Sequence, residues 1–377
     1  MDVGLDGIPL SQSLTGVGHY TLELAHALAR IAPEDRFELV SPLPSLHRPE
    51  LPSNLHITQV SVNRLNRRFW WQVGLPRLIK RSRFSVFHGT NYSVPLQKVC
   101  PTVVTIHDLS LLLWPQTHEQ HLARRARLRL PLMARRADAI IVPSQSVKTE
   151  VHEHLGIDEA KITVIPEAPR SSFWQVTGEE AVAVRRRLNI GDDFILFVGT
   201  IEPRKNLLTL VRAFEEIVRN GVSQTQLVLV GNEGWLTGEL HDFLKTARFR
   251  ERVRFVGYLA DDDLRALYSS CRVFVYPSLY EGFGLPLLEA MACGAPVITS
   301  DIPSVRETVG DAALLVPPTD INELARSITR LLENSIEREQ RSAAGKQHAS
   351  KFSWEKAAAA TLKVYQQFSR KQTRISS

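Results

Sequence analysis

The chain contains only three cysteines, Cys100, Cys271 and Cys293, far apart along its length. No pair of them has the spacing of a disulfide framework or a metal-ligand set. They therefore read as reduced, half-buried side chains of a cytosolic protein. Long hydrophobic runs are also missing. A membrane-spanning helix needs roughly 20 apolar residues, and the longest candidates, such as Leu109 to Trp114, are strand- or loop-sized. The opening MDVGLDGIPL has no basic stretch followed by an apolar one, which is not the pattern of a signal peptide. Low-complexity tracts and solenoid-scale repeats are absent. The expected location is cytoplasmic, with peripheral attachment to the inner face of the plasma membrane as a candidate refinement.

Acidic residues are scarce in one place. Between Val60 and Arg136 there are 14 Lys/Arg against only Asp108 and Glu119, a local excess of +12 in a chain whose formal charge is +6. Part of this excess is interleaved with aromatics, in Arg64-Leu-Asn-Arg-Arg-Phe-Trp-Trp71 and on through Lys80, Arg81, Arg83 and Phe84. Another part is Arg124-Arg-Ala-Arg-Leu-Arg-Leu130, ending at Arg135 and Arg136. Basic residues beside Trp and Phe suit an anionic lipid surface or a phosphate-bearing acceptor. A solvated helix face is the plainer reading. No motif supports binding of nucleic acid.

What is present is an ordinary globular composition, 44% hydrophobic and 23% charged over 377 residues, which is long enough for about two domains. Short β-branched strands alternate with periodic helices, the signature of parallel sheets covered on both faces. In the first half, strands are expected at Val3 to Leu5, Phe37 to Val40, Ile57 to Val60, Val86 to His88, Thr102 to Ile106 and Ala139 to Val142. After the first strand, a Thr15-Gly-Val-Gly18 turn leads into a helix from about His19 to Arg30. The second half repeats the scheme, from Phe194 to Val198 through Ala313 to Val316, with helices at about Leu207 to Arg219, Asp261 to Ser270, Pro286 to Ala292 and Asp320 to Glu333. The pattern breaks around Pro166 to Gly191. The expected fold is α/β: two Rossmann-like doubly wound domains, 1–168 and 169–351, facing a central cleft. In such sheets ligands gather at the carboxyl ends of the strands.

Four pieces carry candidate chemistry. In Ser278-Leu-Tyr-Glu-Gly-Phe-Gly-Leu-Pro-Leu-Leu-Glu289, a strand ends near Tyr276 and a helix follows. Gly282 and Gly284 allow a tight turn, and Pro286 fits the first helical turn. The amides of Phe283, Gly284 and Leu285 are then a seat for phosphate. Glu281 stands before the turn, and Glu289, two turns further on, is within reach of ribose hydroxyls. In isolation, that pair is also what a helix cap and a solvated Glu would give. The second piece is Gly199-Thr-Ile-Glu-Pro-Arg-Lys-Asn-Leu207, where Arg204 and Lys205 suit a diphosphate or are plain surface cations. Gly16 and Gly18 form the third piece and His107 with Asp108 the fourth; each alone is weak. Asp261-Asp-Asp263 resembles a metal motif but opens a helix, where acidic residues favour the dipole. No metal or cofactor is expected.

In this order and spacing, the motifs TGVGHYTLELAHAL, TIHDLS, VPSQSVK, GTIEPRKNL, VRFVGYL, YPSLYEGFGLPLLEAMACGAPVITS and FSWEKAA make the chain similar to the retaining glycosyltransferases of family 4, of GT-B architecture. The closest resemblance is to mannosyltransferase-like members that build bacterial surface polysaccharides and lipopolysaccharide. That resemblance implies a nucleotide-sugar donor, GDP-mannose foremost, and a glycan or polyprenyl-diphosphate-linked acceptor. It places Glu281 and His107 near the donor sugar, His107 also near the acceptor, and Glu289 on the ribose. Arg204, Lys205, Gly16 and Gly18 fall on the diphosphate, and the backbone of Gly257, Tyr258 and Leu259 on the base. It also implies that residues 352–377 form a last helix crossing back to the first domain. Reaction by front-face displacement is implied, with Glu281 orienting the sugar rather than forming an adduct.

Two departures stand out. Gly199 is followed by Thr200 where many relatives have arginine, and the hinge reads Ile165-Pro-Glu-Ala-Pro-Arg170 in place of an Asn-Gly-Val-Asp continuation. A nucleotide-sugar epimerase or phosphorylase, or a non-catalytic nucleotide-sugar-binding module, are the competing functions.

Overall fold

The computed structural model describes residues 1–12, 14–46, 50–61, 67–221 and 224–375. Arg64, at the head of the basic aromatic segment, lies outside them. The chain forms two compact units: Met1–Leu109, Arg125–Ala168 and Ser353–Ser377 make one, and Ser110–Arg124 with Pro169–Phe352 the other.

The first unit is built on a seven-stranded, all-parallel sheet in the order β3-β2-β1-β4-β5-β6-β7. Its strands are β1 Asp2–Asp6, β2 Arg36–Ser41, β3 Leu55–Gln59, β4 Val86–Gly89, β5 Thr102–Thr105, β6 Ala139–Val142 and β7 Ile162–Val164. Strands β4, β5 and β6 are buried along their whole length, as expected where helices cover both faces. The expected strands are all present, and β7 is an addition. Its three residues, Ile-Thr-Val, are too short to separate from a loop by periodicity alone.

The first helix, Gly16–Ile31, begins three residues before the expected start. Gly16 and Gly18 therefore lie in its opening turn, not in a loop ahead of it. A helix N-terminus tolerates glycine because its first amides have no intrahelical partner in any case. A Cβ at Gly18 would meet Leu14 Cδ2 at 2.8 Å and the Pro9 carbonyl oxygen at 3.3 Å, so the leucine end would have to shift to admit one. The last helix, Trp354–Ile375, belongs to this unit and lies against the first. Trp354 meets Tyr20 edge-on at 5.8 Å, and Tyr365 OH is 2.6 Å from His88 Nδ1.

The second unit carries a six-stranded parallel sheet in the order β10-β9-β8-β11-β12-β13. Its strands are β8 Phe194–Val198, β9 Gln226–Val230, β10 Val253–Gly257, β11 Val273–Tyr276, β12 Val297–Ser300 and β13 Leu314–Val316. Central strand β8, Phe-Ile-Leu-Phe-Val, is wholly buried. Phe197, Tyr276 and Phe274 stack in sequence with ring centroids 5.9 Å apart at each step.

Two features differ from expectation. A helix, Gly178–Arg187, sits inside the stretch read as a break. Its capping box is complete: Thr177 accepts from the Glu180 amide and Glu180 reaches back to Thr177. The signal was legible as Thr177-Gly-Glu-Glu180 before an amphipathic run. The three cysteines, expected to be half-buried, are buried outright. Burial pushes the thiols of Cys100 and Cys293 up to about 12, so they behave as small apolar side chains. Among the described residues, no helix is long and apolar enough to cross a membrane.

Candidate functional site

In each sheet the strand order reverses beside the first strand: between β1 and β4 in one unit, and between β8 and β11 in the other. Loops leaving these adjacent strands diverge to opposite faces, opening a crevice at their carboxyl ends. The second unit places three of the expected residues at its switch point. Arg204 and Lys205 follow β8, and Glu281 follows β11.

These three side chains are brought into direct contact. Lys205 Nζ donates to Glu281 Oε1 at 2.6 Å and to Tyr276 OH at 2.7 Å. Arg204 Nη1 lies 3.1 Å from Glu281 Oε2 and donates to the Tyr280 carbonyl at 2.9 Å. Its Nη2 donates to Glu202 Oε1 at 2.6 Å. Glu202 was not anticipated; the sequence gives no sign that this carboxylate turns inward, yet it is 5% exposed. The turn that presents these residues is Pro203–Lys205, closed by Asn206 in a left-handed conformation (φ 58°). The Asn206 amide nitrogen donates to the Pro277 and Pro318 carbonyls, fixing the turn to the end of β11.

Burial alone would raise the Glu281 carboxyl, but the charges of Lys205 and Arg204 and the bond from Lys205 outweigh it and hold it at about 2. Glu281 is thus a fixed carboxylate. Burial and the neighbouring Arg204 charge lower Lys205, opposed by Glu281 and Glu202. Of the three N–H groups of Lys205, two are used by Tyr276 and Glu281, leaving one for a ligand.

Immediately beyond Glu281, Gly284 adopts φ +100°, a region closed to most residues, and starts the helix Leu285–Ala292 with Pro286 in its first turn. Ser304 Oγ and Thr308 Oγ1 tie down the carbonyls of Glu281 and Phe283. The amides of Gly284 and Leu285 belong to the helix end whose donors have no intrahelical partner, and that of Phe283 directly precedes them. An anion is favoured there. At the end of β10, Gly257 takes φ +78° at a bulge, and Tyr258 is 48% exposed.

Glu289, expected to be open to ribose, is instead gripped by Arg170. Nε lies 2.6 Å from Oε1 and Nη2 2.9 Å from Oε2. Asp261 takes Nη1 of the same guanidinium at 2.6 Å. Asp262 pairs with Arg265 at 3.0 Å, and Asp263 pairs with Arg187. The Asp-rich helix start is thus an arginine-paired cap.

In the first unit, His107 follows β5 with both ring nitrogens engaged. Nδ1 is 3.1 Å from Glu167 Oε1, and Nε2 is 2.9 Å from the Thr90 carbonyl oxygen. Both partners are acceptors, so the ring is satisfied only as a doubly protonated imidazolium. Burial alone would lower its pKa, but Glu167 raises it above the ordinary histidine value. His88, at the end of β4, has the opposite character. It lies between Tyr365 OH and Thr105 Oγ1, and burial holds it neutral, down at about 3. Asp6, at the end of β1, is pushed up to about 7 by burial.

The basic segment also divides. Arg67, Arg68 and Arg125 are exposed. Arg129 is not a free surface charge; it donates to Ser93 Oγ at 2.9 Å and lies over the Trp71 ring at 5.9 Å.

Two doubly wound parallel sheets in one chain are the architecture of the GT-B fold. The chain belongs to glycosyltransferase family 4. Residues 14–168 match the model described as "Glycosyltransferase Family 4", and residues 181–348 the one described as "Glycosyl transferases group 1". It is 29% identical over 373 residues to the O-antigen chain mannosyltransferase B of Escherichia coli, covering 95% of this chain and 97% of that one. The fold is shared with the sucrose-phosphate synthase of Thermosynechococcus elongatus (TM-score 0.79, 24% identity, 97% and 98% of the two chains). It is shared also with Anabaena HepE, solved with UDP-glucose (TM-score 0.73, 19% identity, 99% of both chains).

Proposed function

We propose that the chain transfers mannose from GDP-mannose, with retention of configuration, to a glycan carried on a polyprenyl diphosphate during bacterial surface-polysaccharide synthesis. The observation that carries this reading is the Arg204–Lys205–Glu281 cluster at the switch point of the second sheet. The similarity along the full length to an O-antigen mannosyltransferase favours the sugar and the pathway class.

The bond from the anomeric carbon to the diphosphate oxygen breaks, and a bond to the acceptor oxygen forms on the same face. The acceptor's proton passes to the departing oxygen. Stabilisation is needed where charge develops, on the leaving diphosphate. Lys205 with its remaining N–H, Arg204 and the amides from Phe283 to Leu285 supply it without a metal. Glu281, ionised and clamped by two cations, orients the sugar; a carboxylate so held is a poor nucleophile. Glu289 receives the ribose, and the backbone of Gly257, Tyr258 and Leu259 frames the base. The first unit contributes His107 and the amides of the helix that begins at Gly16. With both N–H groups of His107 given to Glu167 and the Thr90 carbonyl, its imidazolium contributes positive charge and is not a base. No resident cofactor and no nucleic acid partner are required.

Contact with the inner face of the plasma membrane is the second part of the proposal. Within the helix Gln120–Arg136, Arg125, Leu128, Leu132 and Arg135 fall on one face, and all four are exposed, Leu128 to 80%. The helix itself contains no acidic residue.

The test is a panel of GDP-, UDP-, ADP- and dTDP-sugars in EDTA, scored by thermal shift and slow donor hydrolysis. GDP-mannose should stabilise and be hydrolysed, and Glu281→Ala and Lys205→Ala should weaken both. No response to any donor in folded protein would overturn the catalytic reading, and a glycosyl adduct on Glu281 the mechanism.

A further inference from the structure

The hinge departure supplies Arg170, and its guanidinium is held from several sides. Two nitrogens form a fork onto both oxygens of Glu289, the third reaches Asp261, and Cζ lies 3.9 Å from the centroid of the Phe173 ring. Ser172 Oγ meets the other Asp261 oxygen at 3.3 Å. Arg170 is 7% exposed and Glu289 3%. Such a buried pair is weak support for stability by itself, because desolvation offsets the attraction. Its geometric consequence is larger. A bidentate guanidinium is coplanar with the carboxylate it grips. Arg170 therefore fixes the plane of Glu289. Of the roughly four lone-pair positions of a carboxylate, the fork occupies two and sets the direction of the others.

We propose that Arg170 is a positioning residue for the nucleotide. It holds the Glu289 carboxylate in a single plane, so that the two lone pairs left over accept from the two hydroxyls of a ribose, with Asp261 and Phe173 holding the fork in turn. This rests on the reading of Glu289 as the ribose ligand. Lysine cannot substitute, because a point charge on a flexible stem does not define a plane.

The experiment measures binding of GDP and UDP, and of their 2′-deoxy and 3′-deoxy counterparts, by calorimetry to full-length wild type, Glu289→Gln, Arg170→Lys, Arg170→Met and Asp261→Asn. The nucleotide bound more tightly by wild type is used throughout. Wild type should prefer the ribonucleotide by about tenfold or more, the size of one lost hydrogen bond to a charged group. Arg170→Lys and Arg170→Met should reduce that preference to below about threefold. Asp261→Asn, which leaves Glu289 paired, should reduce it partly and guards against loss of folding in the other two. General structural damage weakens ribo- and deoxyribonucleotides alike and leaves their ratio unchanged. If Glu289→Gln loses the preference while the Arg170 variants and Asp261→Asn keep it, the positioning role is overturned and the ribose reading stands. If Glu289→Gln keeps it, or wild type binds neither nucleotide or shows no preference, the ribose reading falls and the proposal with it.

Discussion

The two units place polar side chains at the carboxyl ends of adjacent central strands in similar sheets, yet solve the problem of burying them in opposite ways. At the carboxyl ends of β8 and β11 the groups are ionic: Glu202, Glu281, Arg204 and Lys205 neutralise one another within about one side-chain length. At the ends of β4 and β5 most of the network is neutral. Tyr20, His88, Thr105 and Tyr365 exchange hydrogen bonds between hydroxyls and an uncharged ring, and a single ion pair, His107–Glu167, stands beside them. An ionic cluster is expensive to bury but can exchange partners with an incoming charged ligand. A hydroxyl network is satisfied at lower cost and fixes geometry. The second unit thus carries charges that can be exchanged, and the first a network that is mostly fixed.

The largest effect should come from unbalancing the ionic cluster. Lys205→Met leaves Glu281 buried beside Arg204 alone, and should cost about 3–5 kcal/mol of stability in urea titrations. Transfer should fall by roughly 10²–10³-fold, as for loss of a donor aimed at developing charge. A variant within 1 kcal/mol of wild type would show that the cluster is not the tightly balanced unit described.

Acid should separate the units next. The Glu281 carboxyl is held at about 2 in the folded chain against an ordinary 4.5. A depressed carboxylate contributes stability above its unfolded value and loses it as pH falls through its folded one. Wild type should therefore lose stability between about pH 4.5 and 2, and the loss should be shallower in Glu281→Gln. Thermal melts across that range decide it.

The histidines respond to base. With its pKa raised, His107 contributes stability below the ordinary histidine value and loses it as pH rises through the folded one. Glu167→Gln removes the main cause, so burial should lower His107 and the loss toward base should vanish or reverse, with stability then falling toward acid, at a cost of about 2 kcal/mol near neutrality. Nuclear magnetic resonance titration of the ring protons should show His107 shifted and His88 silent from pH 5 to 9, because His88 titrates at about 3. A titrating His88 would erase the contrast.

Smallest for stability is Leu128→Asp. The side chain is 80% exposed, so the change should stay within about 0.5 kcal/mol. Binding to anionic liposomes should nevertheless be lost, together with that of Arg125→Glu. Unchanged liposome binding would remove the membrane contact from the proposal.

Much of the fold was legible because parallel sheets covered on both faces need continuous apolar strands; Phe194 to Val198 could hardly be anything else. Failures fell where the signal was short or local. Strand β7 has three residues. The helix Gly178–Arg187 lies in a stretch whose periodicity Pro166, Pro169 and Gly178 interrupt, although its capping box is written in the sequence. At the site, Arg204, Lys205 and Glu281 were named, but not that they would meet one another. In the sequence Glu167 and Arg170 stand out only as a departure from the hinge pattern of the family.

By itself, the sequence determined the layered architecture, the glycine positions where a helix must start or a chain must turn, and which charges stand at strand ends. Those follow from periodicity and backbone sterics, which act over a few residues. Partner choice was decided by tertiary structure. Glu289 binds Arg170, 119 positions away, and His107 binds Glu167, 60 positions away. A buried charge must find its complement wherever the fold brings one within about 3 Å, and no local pattern encodes that distance.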